Sequence, residues 1–224
     1  MPGIGCRIME ETGFVPPMIV SHAHRYIFVP IPKTGTHAVR QALREHMGPD
    51  DVAQVGLFVA PPIPWPELAA LGHGHFGLRQ VAPFLGPEAM RDYLKFAFVR
   101  NPFDRFVSYC AFMTREHGDF DRDPRGTMRR FLFELRPMQH VHFQPQYTLL
   151  VDDRDELATD FIGRVEPMQE SYDTLCAKIG IPGRALDKVN GSRRGDYRQY
   201  YDRPLFEGVS QLYARDLQLF GYGF

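Results

Sequence analysis

Residues 26–39 read YIFVPIPKTGTHAV, and their pattern indicates the architecture of the chain. Its first four residues are aromatic or β-branched, which is the composition of a buried strand. Pro30 and Pro32 end that strand, and Gly35 permits a backbone conformation that a Cβ atom would penalise. From Thr36 onward, apolar residues recur at helical spacing. The stretch therefore predicts a strand, a tight loop and a helix N-terminus, which together direct several backbone N–H groups at one position.

A loop of this kind binds an anion, and Lys33 adds a full positive charge to it. A Walker A loop, G-x-x-x-x-G-K-[ST], has its lysine after the glycines, followed by a hydroxyl that holds magnesium. Here Lys33 precedes Gly35, and the chain contains no GK[ST]. This order of residues disfavours an ordinary ATP or GTP kinase. The other interpretation is a purely structural strand–turn–helix with a surface lysine.

A second strand–helix unit occupies residues 95–113, KFAFVRNPFDRFVSYCAFM. Its apolar strand ends at Arg100, and Asn101 suits the N-cap of the helix that follows. In an open α/β sheet, ligands bind outside the carboxyl ends of the strands. A guanidinium there can hold a phosphate through two hydrogen bonds, and the hydroxyl of Ser108 can share it. The other interpretations are an ion pair between Arg100 and Asp104 and an ordinary polar helix position for Ser108.

Together the two segments resemble the sulfotransferases that use 3′-phosphoadenosine 5′-phosphosulfate (PAPS). The resemblance is closest to a soluble, bacterial-type member of the glycan branch that includes heparan sulfate 2-O-sulfotransferase. The family pattern P-K-[TSA]-[GA]-x-[TS] is matched at residues 32–36, and R-N-P-[YF]-[DE]-R-x-x-S is matched throughout residues 100–108. The resemblance implies a P-loop-NTPase-like sulfotransferase fold. It also implies two groups of donor-binding residues, Lys33, Thr34, Gly35 and Thr36 for the 5′-phosphosulfate and Arg100 and Ser108 for the 3′-phosphate.

One position of the first motif departs from the family pattern. Where family members carry Thr or Ser, this chain has His37. The hydroxyl of Thr34 or Thr36 could bond the 5′-phosphate instead, or His37 could donate a ring N–H to it. The sequence leaves these alternatives open.

Residues 72–76, GHGHF, resemble the segment that carries the catalytic histidine of the glycan 2-O-sulfotransferases. The resemblance aligns His75 with that residue and places His73 beside the substrate. Histidine titrates near neutral pH and can take the proton of an acceptor hydroxyl. Lys33 can stabilise the charge that develops on the leaving phosphate oxygen. The sequence therefore predicts His75 and Lys33 as catalytic residues.

The histidine segment has two other interpretations. H-x-H is also a metal-ligand spacing, and it occurs at residues 22–24, 73–75 and 140–142. No cysteine pair and no H-E-x-x-H accompanies these pairs, so we expect no metal site. The second interpretation is a loop histidine that is hydrogen-bonded to the backbone.

Two later segments resemble parts of the family near the ligands. In HFQPQ, the resemblance places His142 and Gln146 near the acceptor or the nucleotide; the other interpretation is an ordinary polar loop. In VNGSRRGDYR, Ser192, Arg193 and Arg194 would close over the 3′-phosphoadenosine, as the C-terminal basic loop of such enzymes does. A solvated basic turn is the other interpretation of that segment.

The composition agrees with a small enzyme. The chain has 224 residues and a net charge of −1, so it has no general basic field for nucleic acid. Three scattered cysteines predict a reduced, cytoplasmic setting rather than a disulfide framework. No apolar run reaches the roughly 18 residues of a membrane span. The sequence carries no pattern that fixes the oligomeric state.

Strands that alternate with helices predict one α/β domain over residues 1–224, with a central parallel β-sheet flanked by helices. Residues 1–24 are expected to be an irregular lead-in. The predicted strands are 26–29, 96–99 and 160–165. The predicted helices begin at 36 and 102 and span 87–94, 127–135, 167–180 and 203–219. The predicted loops are 49–72 and 117–127, and the second of these is expected to be a mobile lid or an acceptor loop.

The function that these features predict is sulfuryl transfer from PAPS to an acceptor hydroxyl, in line and with His75 as general base. The acceptor is expected to be a saccharide or a glycosylated small molecule, and the nucleotide product is adenosine 3′,5′-bisphosphate. Two alternatives remain open. One is an atypical nucleotide-dependent kinase, which would need ATP and magnesium. The other is a non-catalytic nucleotide-binding module.

Overall fold

The structure is a computed structural model that describes residues 18–53, 65–69, 73–187 and 195–224. Within these residues, five strands form one sheet in the order β3-β1-β2-β4-β5. The strands are β1 (Ile19–Ser21), β2 (Tyr26–Val29), β3 (Val52–Ala53), β4 (Leu94–Val99) and β5 (Phe161–Arg164).

The predicted parallel sheet is confirmed for its central and C-terminal part. Strand β4 pairs in parallel with β2 and with β5. Strand β1 runs antiparallel to β2, and β3 runs antiparallel to β1, so the other edge is not parallel. The expectation of an irregular stretch up to residue 24 is therefore wrong for β1. A three-residue strand is too short to show a period, and its pairing with β2 on one side and β3 on the other makes it a strand.

The helices surround this sheet and connect its strands. They are α1 (Thr36–Arg44), α2 (Pro66–Ala69), α3 (Leu78–Asp92), α4 (Pro102–Met113), α5 (Asp119–Arg122), α6 (Pro124–Arg129), α7 (Met168–Ile179), α8 (Arg203–Leu212) and α9 (Ala214–Phe220). A π-helical turn spans Arg130–Leu135, and 3₁₀ turns span Gln146–Leu149 and Tyr197–Tyr200. No helix in the described ranges is long and apolar enough to cross a membrane.

Three expectations about helices and loops need correction. The predicted lid 117–127 contains α5 and α6, because the Asp123 carboxylate caps α6 by accepting the Gly126 N–H at 2.9 Å. The predicted last helix divides into α8 and α9 at Tyr213. Helix α3 begins well before residue 87 and bends at Gly86, where φ is 79°.

The predicted extended loop 49–72 is also only partly described. It contains β3 and α2, and its other parts include residues 54–64 and 70–72, which lie outside the described residues.

Side chains alternate along each strand, and an apolar cluster covers each face of the sheet. Ile27 and Val29 of β2 enter one apolar cluster, together with residues of α3. Tyr26 and Phe28 enter the opposite cluster, which α1 and α7 cover. There, the rings of Phe28 and Phe96 stack with centroids 5.1 Å apart. Burial on both faces fixes the two central parallel strands relative to each other.

A third apolar cluster holds helix α4 against the C-terminal helices. Phe103 and Phe106 of α4 pack with Leu205 and Val209 of α8. The ring of Phe224 also contacts Phe103, with centroids 4.9 Å apart. These contacts fix the direction in which α4 leaves the carboxyl end of β4.

Candidate functional site

The two predicted phosphate motifs meet at one edge of the sheet. Strands β2 and β4 are parallel neighbours, with Val29 paired with Ala97, so both strands end at the same edge. The Arg100 guanidinium Nη1 donates a hydrogen bond to the Lys33 carbonyl at 3.3 Å. The loop after β2 therefore contacts the residue that follows β4.

The loop after β2 has the backbone geometry of an anion site. Lys33 and Gly35 both have positive φ, 69° and 67°, and Gly35 is the N-cap of α1. No side chain among the described residues caps this helix, and its first turn contains no acidic residue. A Cβ atom at Gly35 would lie 2.6 Å from Cε of Met168. The loop thus presents backbone N–H groups and a partial positive charge at the helix N-terminus.

The structure separates the roles of the three polar side chains in this loop. Thr34 is buried, and its hydroxyl donates to the Ile31 carbonyl at 2.9 Å. Thr36 is partly exposed at the start of α1. His37 is exposed, and its Nδ1 accepts a hydrogen bond from Arg40 Nη2 at 3.3 Å. Partial burial and the Arg40 charge lower the pKa of His37, so its ring is neutral with its proton on Nε2.

Arg100 forms the ion pair with Asp104 that was one of the two interpretations of its role. Its Nε donates to the Asp104 carboxylate at 2.7 Å, and both side chains are partly exposed. Asn101 is the N-cap of α4, as predicted, since its Oδ1 accepts the Phe103 N–H at 3.0 Å. Ser108 lies farther along α4 and is buried.

Gln146 is wholly buried, and its side chain contacts the backbone of Arg100. Its Oε1 accepts the Arg100 N–H at 3.0 Å, and its Nε2 donates to the Arg100 carbonyl at 2.9 Å. The buried Asp216 carboxylate accepts the backbone N–H groups of Gln146 and Tyr147 at 2.8 and 2.9 Å. Through these bonds, Asp216 and Gln146 fix the peptide groups on either side of Arg100.

Arg105 is a second buried positioning group, and its pattern in the sequence predicted no role for it. Its guanidinium is 1% exposed. It donates to the carbonyls of Pro32 at 3.1 Å, Gln144 at 2.9 Å and His142 at 3.1 Å. These bonds tie three parts into one unit: the loop between β2 and α1 (residues 30–35), which we call the phosphate loop after its predicted ligand, helix α4, and the segment before the Gln146 turn. The only sequence signal was its place within the motif at residues 100–108.

His75 lies directly behind the phosphate loop. It is 1% exposed, and its Nδ1–H donates to the Pro30 carbonyl at 2.7 Å. That bond fixes the tautomer, so Nε2 carries the lone pair of the neutral ring. Burial lowers the pKa of His75 to about 3, and the charges of Arg105 and Lys33 act in the same direction. The hydrogen bond to the backbone, which was one interpretation of this histidine segment, is therefore present at Nδ1 of His75.

Four histidines, which we call the histidine cluster, gather beside the phosphate loop: His73, His75, His140 and His142. The rings of His75 and His142 have centroids 5.1 Å apart at 76°, and those of His142 and His140 lie 5.0 Å apart at 22°. Burial lowers the pKa of His73, and the nearby His140 ring lowers it further. Burial likewise lowers the pKa of His142 and of His140, so the cluster is neutral near pH 7.

The H-x-H pairs do not form a metal centre in the described part of the chain. Two of the three pairs meet in the histidine cluster. Even so, no group of three or more His, Cys, Asp or Glu side chains among residues 18–53, 65–69, 73–187 and 195–224 is arranged to hold a metal ion.

Lys33 extends its side chain toward the histidine cluster and the end of α4. Its Nζ lies 4.0 Å from the ring centroid of Phe112, a residue predicted only as part of the helix in the second strand–helix unit. The predicted basic turn at Ser192, Arg193 and Arg194 lies outside the described residues.

The sequence matches one known protein family along most of its length. The family model described as "Sulfotransferase family" matches residues 16–223. An uncharacterized protein from Archaeoglobus fulgidus is 29% identical over 115 residues, which are 51% of this chain and 91% of that protein. No solved structure matches the chain. Because the family model covers nearly all of the sequence, the chain belongs to the sulfotransferase family.

Proposed function

We propose that the protein is a PAPS-dependent sulfotransferase that acts on a hydroxyl group of a saccharide or glycosylated small molecule. Membership of the sulfotransferase family supports sulfuryl transfer as the reaction class, and the family generally uses PAPS. The observation that carries the proposal is the contact between Arg100 and the Lys33 carbonyl at 3.3 Å. It joins the two motifs that resemble the 5′- and 3′-phosphate sites of such enzymes.

The residues of the phosphate loop fit the 5′-phosphosulfate. A helix N-terminus that no side chain of the described ranges caps, together with a lysine, suits a group with several negative oxygens. Since the Thr34 hydroxyl donates within the loop, we assign the bond to the phosphate to the Thr36 hydroxyl and to backbone N–H groups around Gly35. Nε2–H of His37 is a further donor at this helix end.

Arg100 and Ser108 are proposed to bind the 3′-phosphate. Arg100 uses Nε for Asp104 and Nη1 for the Lys33 carbonyl, and a guanidinium has five N–H groups in all. Three N–H groups therefore remain for a phosphate, and Arg100 can bind it while keeping both of these bonds. Ser192, Arg193 and Arg194 stay part of the proposal, as residues that close over the nucleotide.

His75 is proposed as the general base, with its Nε2 receiving the proton of the acceptor hydroxyl. PAPS would supply a sulfuryl group bonded to an oxygen of its 5′-phosphate. In-line displacement would transfer that sulfuryl group to the acceptor oxygen, and the phosphate oxygen would leave. A pKa near 3 makes His75 a weak base in the structure described, and part of that shift comes from the positive charges of Arg105 and Lys33. The negative charge of a donor bound at the phosphate loop would oppose those positive charges and raise the pKa of His75.

Lys33 is proposed to stabilise negative charge at the leaving oxygen, from its position between the loop and the histidine cluster. His73 and His142 line the acceptor side because they neighbour His75. Gln146 acts on the same site through the Arg100 backbone. A cytoplasmic setting is proposed from the three scattered cysteines.

Calorimetry with adenosine 3′,5′-bisphosphate tests the proposal. We expect binding to the wild-type protein, its loss in Arg100→Ala, and normal binding in Arg91→Ala, a control in which an exposed arginine paired with Asp92 is removed. Absence of binding at high micromolar ligand would overturn the proposal. Binding of ATP with magnesium instead would identify a kinase. Tight nucleotide binding with no sulfate transfer to any hydroxylated acceptor would identify a non-catalytic module.

A further inference from the structure

We propose that Phe112 is a positioning residue for Lys33, because the face of its ring holds the lysine ammonium beside His75 and His142. This inference rests on the proposed function, in which Lys33 stabilises charge during sulfuryl transfer. It assigns a role to an aromatic residue near the end of α4 that neither phosphate motif includes.

The geometry is that of a cation–π contact. Lys33 Nζ lies 4.0 Å from the centroid of the Phe112 ring, well inside the roughly 6 Å over which such contacts act. The ring itself is held in place. It lies parallel to the His142 ring, with an interplanar angle of 5° and centroids 5.8 Å apart. The Arg115 guanidinium is also 4.2 Å from its centroid.

Lys33 is a residue for which an external support matters. Its stem has four rotatable bonds, and a compact ammonium makes no planar fork that would fix its direction. Its backbone φ of 69° is unusual for a residue with a Cβ atom. Such conformations persist where the surroundings enforce them, and they concentrate at functional sites. The ring of Phe112 limits the volume that the ammonium can occupy.

The position of this charge has a chemical consequence. The groups that face His75 include His73, Arg105, Lys33 and the Pro30 carbonyl, and Lys33 contributes to lowering the pKa of His75. Lys33 also contributes to lowering the pKa of His142. The ammonium therefore lies near both the proposed base and the loop that would carry the leaving oxygen. An ammonium spread over many rotamers would stabilise the transition state less.

Ring fluorination tests the electrostatic contact between Lys33 and Phe112 separately from the shape of the ring. Replacing Phe112 by phenylalanines with one, two and three ring fluorines weakens the negative face with little change in size. We expect log kcat, at saturating donor and acceptor, to fall linearly along the series by about 2- to 30-fold in total. Phe112→Leu should fall at least as far, and Phe112→Tyr should retain the wild-type kcat. The same series at Phe131, whose ring meets Tyr109 edge-on at 5.2 Å, is the matched control.

A flat series at Phe112, or an equal decline at Phe131, would overturn the inference. A second measurement does not depend on activity. The chain has four lysines, so selective ¹³C-lysine labelling gives few ε-methylene signals, and Lys33→Arg identifies that of Lys33. We expect an upfield ring-current shift of this signal that disappears in Phe112→Leu. No shift in the wild-type protein would overturn the inference even if nucleotide binding confirms the proposed function.

Discussion

The side-chain amide of Gln146 binds both peptide groups that flank the Arg100 side chain. It accepts the Arg100 N–H at 3.0 Å and donates to the Arg100 carbonyl at 2.9 Å. This arrangement substitutes for a neighbouring strand at the point where β4 ends and the chain turns into α4. The backbone of Arg100 is thereby fixed, although its side chain reaches the edge of the site.

Gln146→Leu should weaken nucleotide binding although Gln146 is buried. The change leaves the Arg100 N–H and carbonyl without their partner, which costs about 1–3 kcal/mol of stability, and it releases the guanidinium from its fixed origin. We expect about tenfold weaker binding of adenosine 3′,5′-bisphosphate in calorimetry. Gln144→Leu is the control, since that side chain donates to the Met138 carbonyl at 2.9 Å rather than to Arg100. Unchanged affinity in Gln146→Leu would show that Arg100 does not depend on this support.

His75→Ala should remove turnover and leave nucleotide affinity almost intact. A positioned general base contributes about 10²- to 10⁴-fold to a rate, so kcat should fall by at least about a hundredfold. The Kd for adenosine 3′,5′-bisphosphate should stay within about twofold, because the proposed contacts of the nucleotide do not include His75. His117→Ala, at an exposed position after α4, is the control. Full activity in His75→Ala would exclude His75 as the base.

The buried histidines should make the protein less stable in mild acid. The pKa of His75 is about 3 in the folded protein and about 6.5 when unfolded. Between these values only the unfolded chain binds the proton, so the free energy of unfolding falls as the pH falls. From pH 7.5 to pH 5, His75 alone should account for a loss of about 2 kcal/mol.

Urea denaturation at these two pH values checks this expectation. The lowered pKa of His142 adds a loss of the same sign. In His75→Gln, the difference between pH 7.5 and pH 5 should be smaller than in the wild-type protein. Equal differences would mean that His75 is not held neutral in the folded state.

Gly35→Ala should impair both folding and binding, because two costs coincide. Its φ is 67°, and a Cβ atom would meet Cε of Met168 at 2.6 Å. Gly118→Ala is a matched control with φ of 65° and no atom within 4 Å of the added Cβ. We expect about 1 kcal/mol of destabilisation in the control from the backbone alone, more in Gly35→Ala, and weaker nucleotide binding only in Gly35→Ala. Equal effects of the two changes would contradict this account.

The central units of the fold could be predicted because their sequence signals are local. Strand β2 is a run of aromatic and β-branched residues bounded by proline, and its limits are those expected. Helix α4 begins at the expected cap and proline, Asn101 and Pro102. The antiparallel β1 and β3 could not be found in this way. They contain three and two residues, and their partners across the sheet decide that they are strands.

The candidate site shows the same division. Lys33, Arg100 and His75 carry local motif signals, and the structure brings them to one edge of the sheet. The supporting contacts join residues far apart in the chain. Gln146 meets Arg100 across 46 residues, and Arg105 meets Pro32 across 73. No local period marks such pairs, since a buried polar group is recognised only once its partner is in place.

The parallel pairing of β2 with β4 fixes the distance between the two motifs that follow these strands. Neighbouring strands lie about 4.8 Å apart, and this spacing, rather than the length of any loop, sets the distance between the start of the Lys33 loop and Arg100. Residues 45–93 connect the two units without contributing to that distance. Apart from the segment that carries His73 and His75, the intervening chain could therefore change in length while the spacing of the two motifs of the proposed donor site stayed constant.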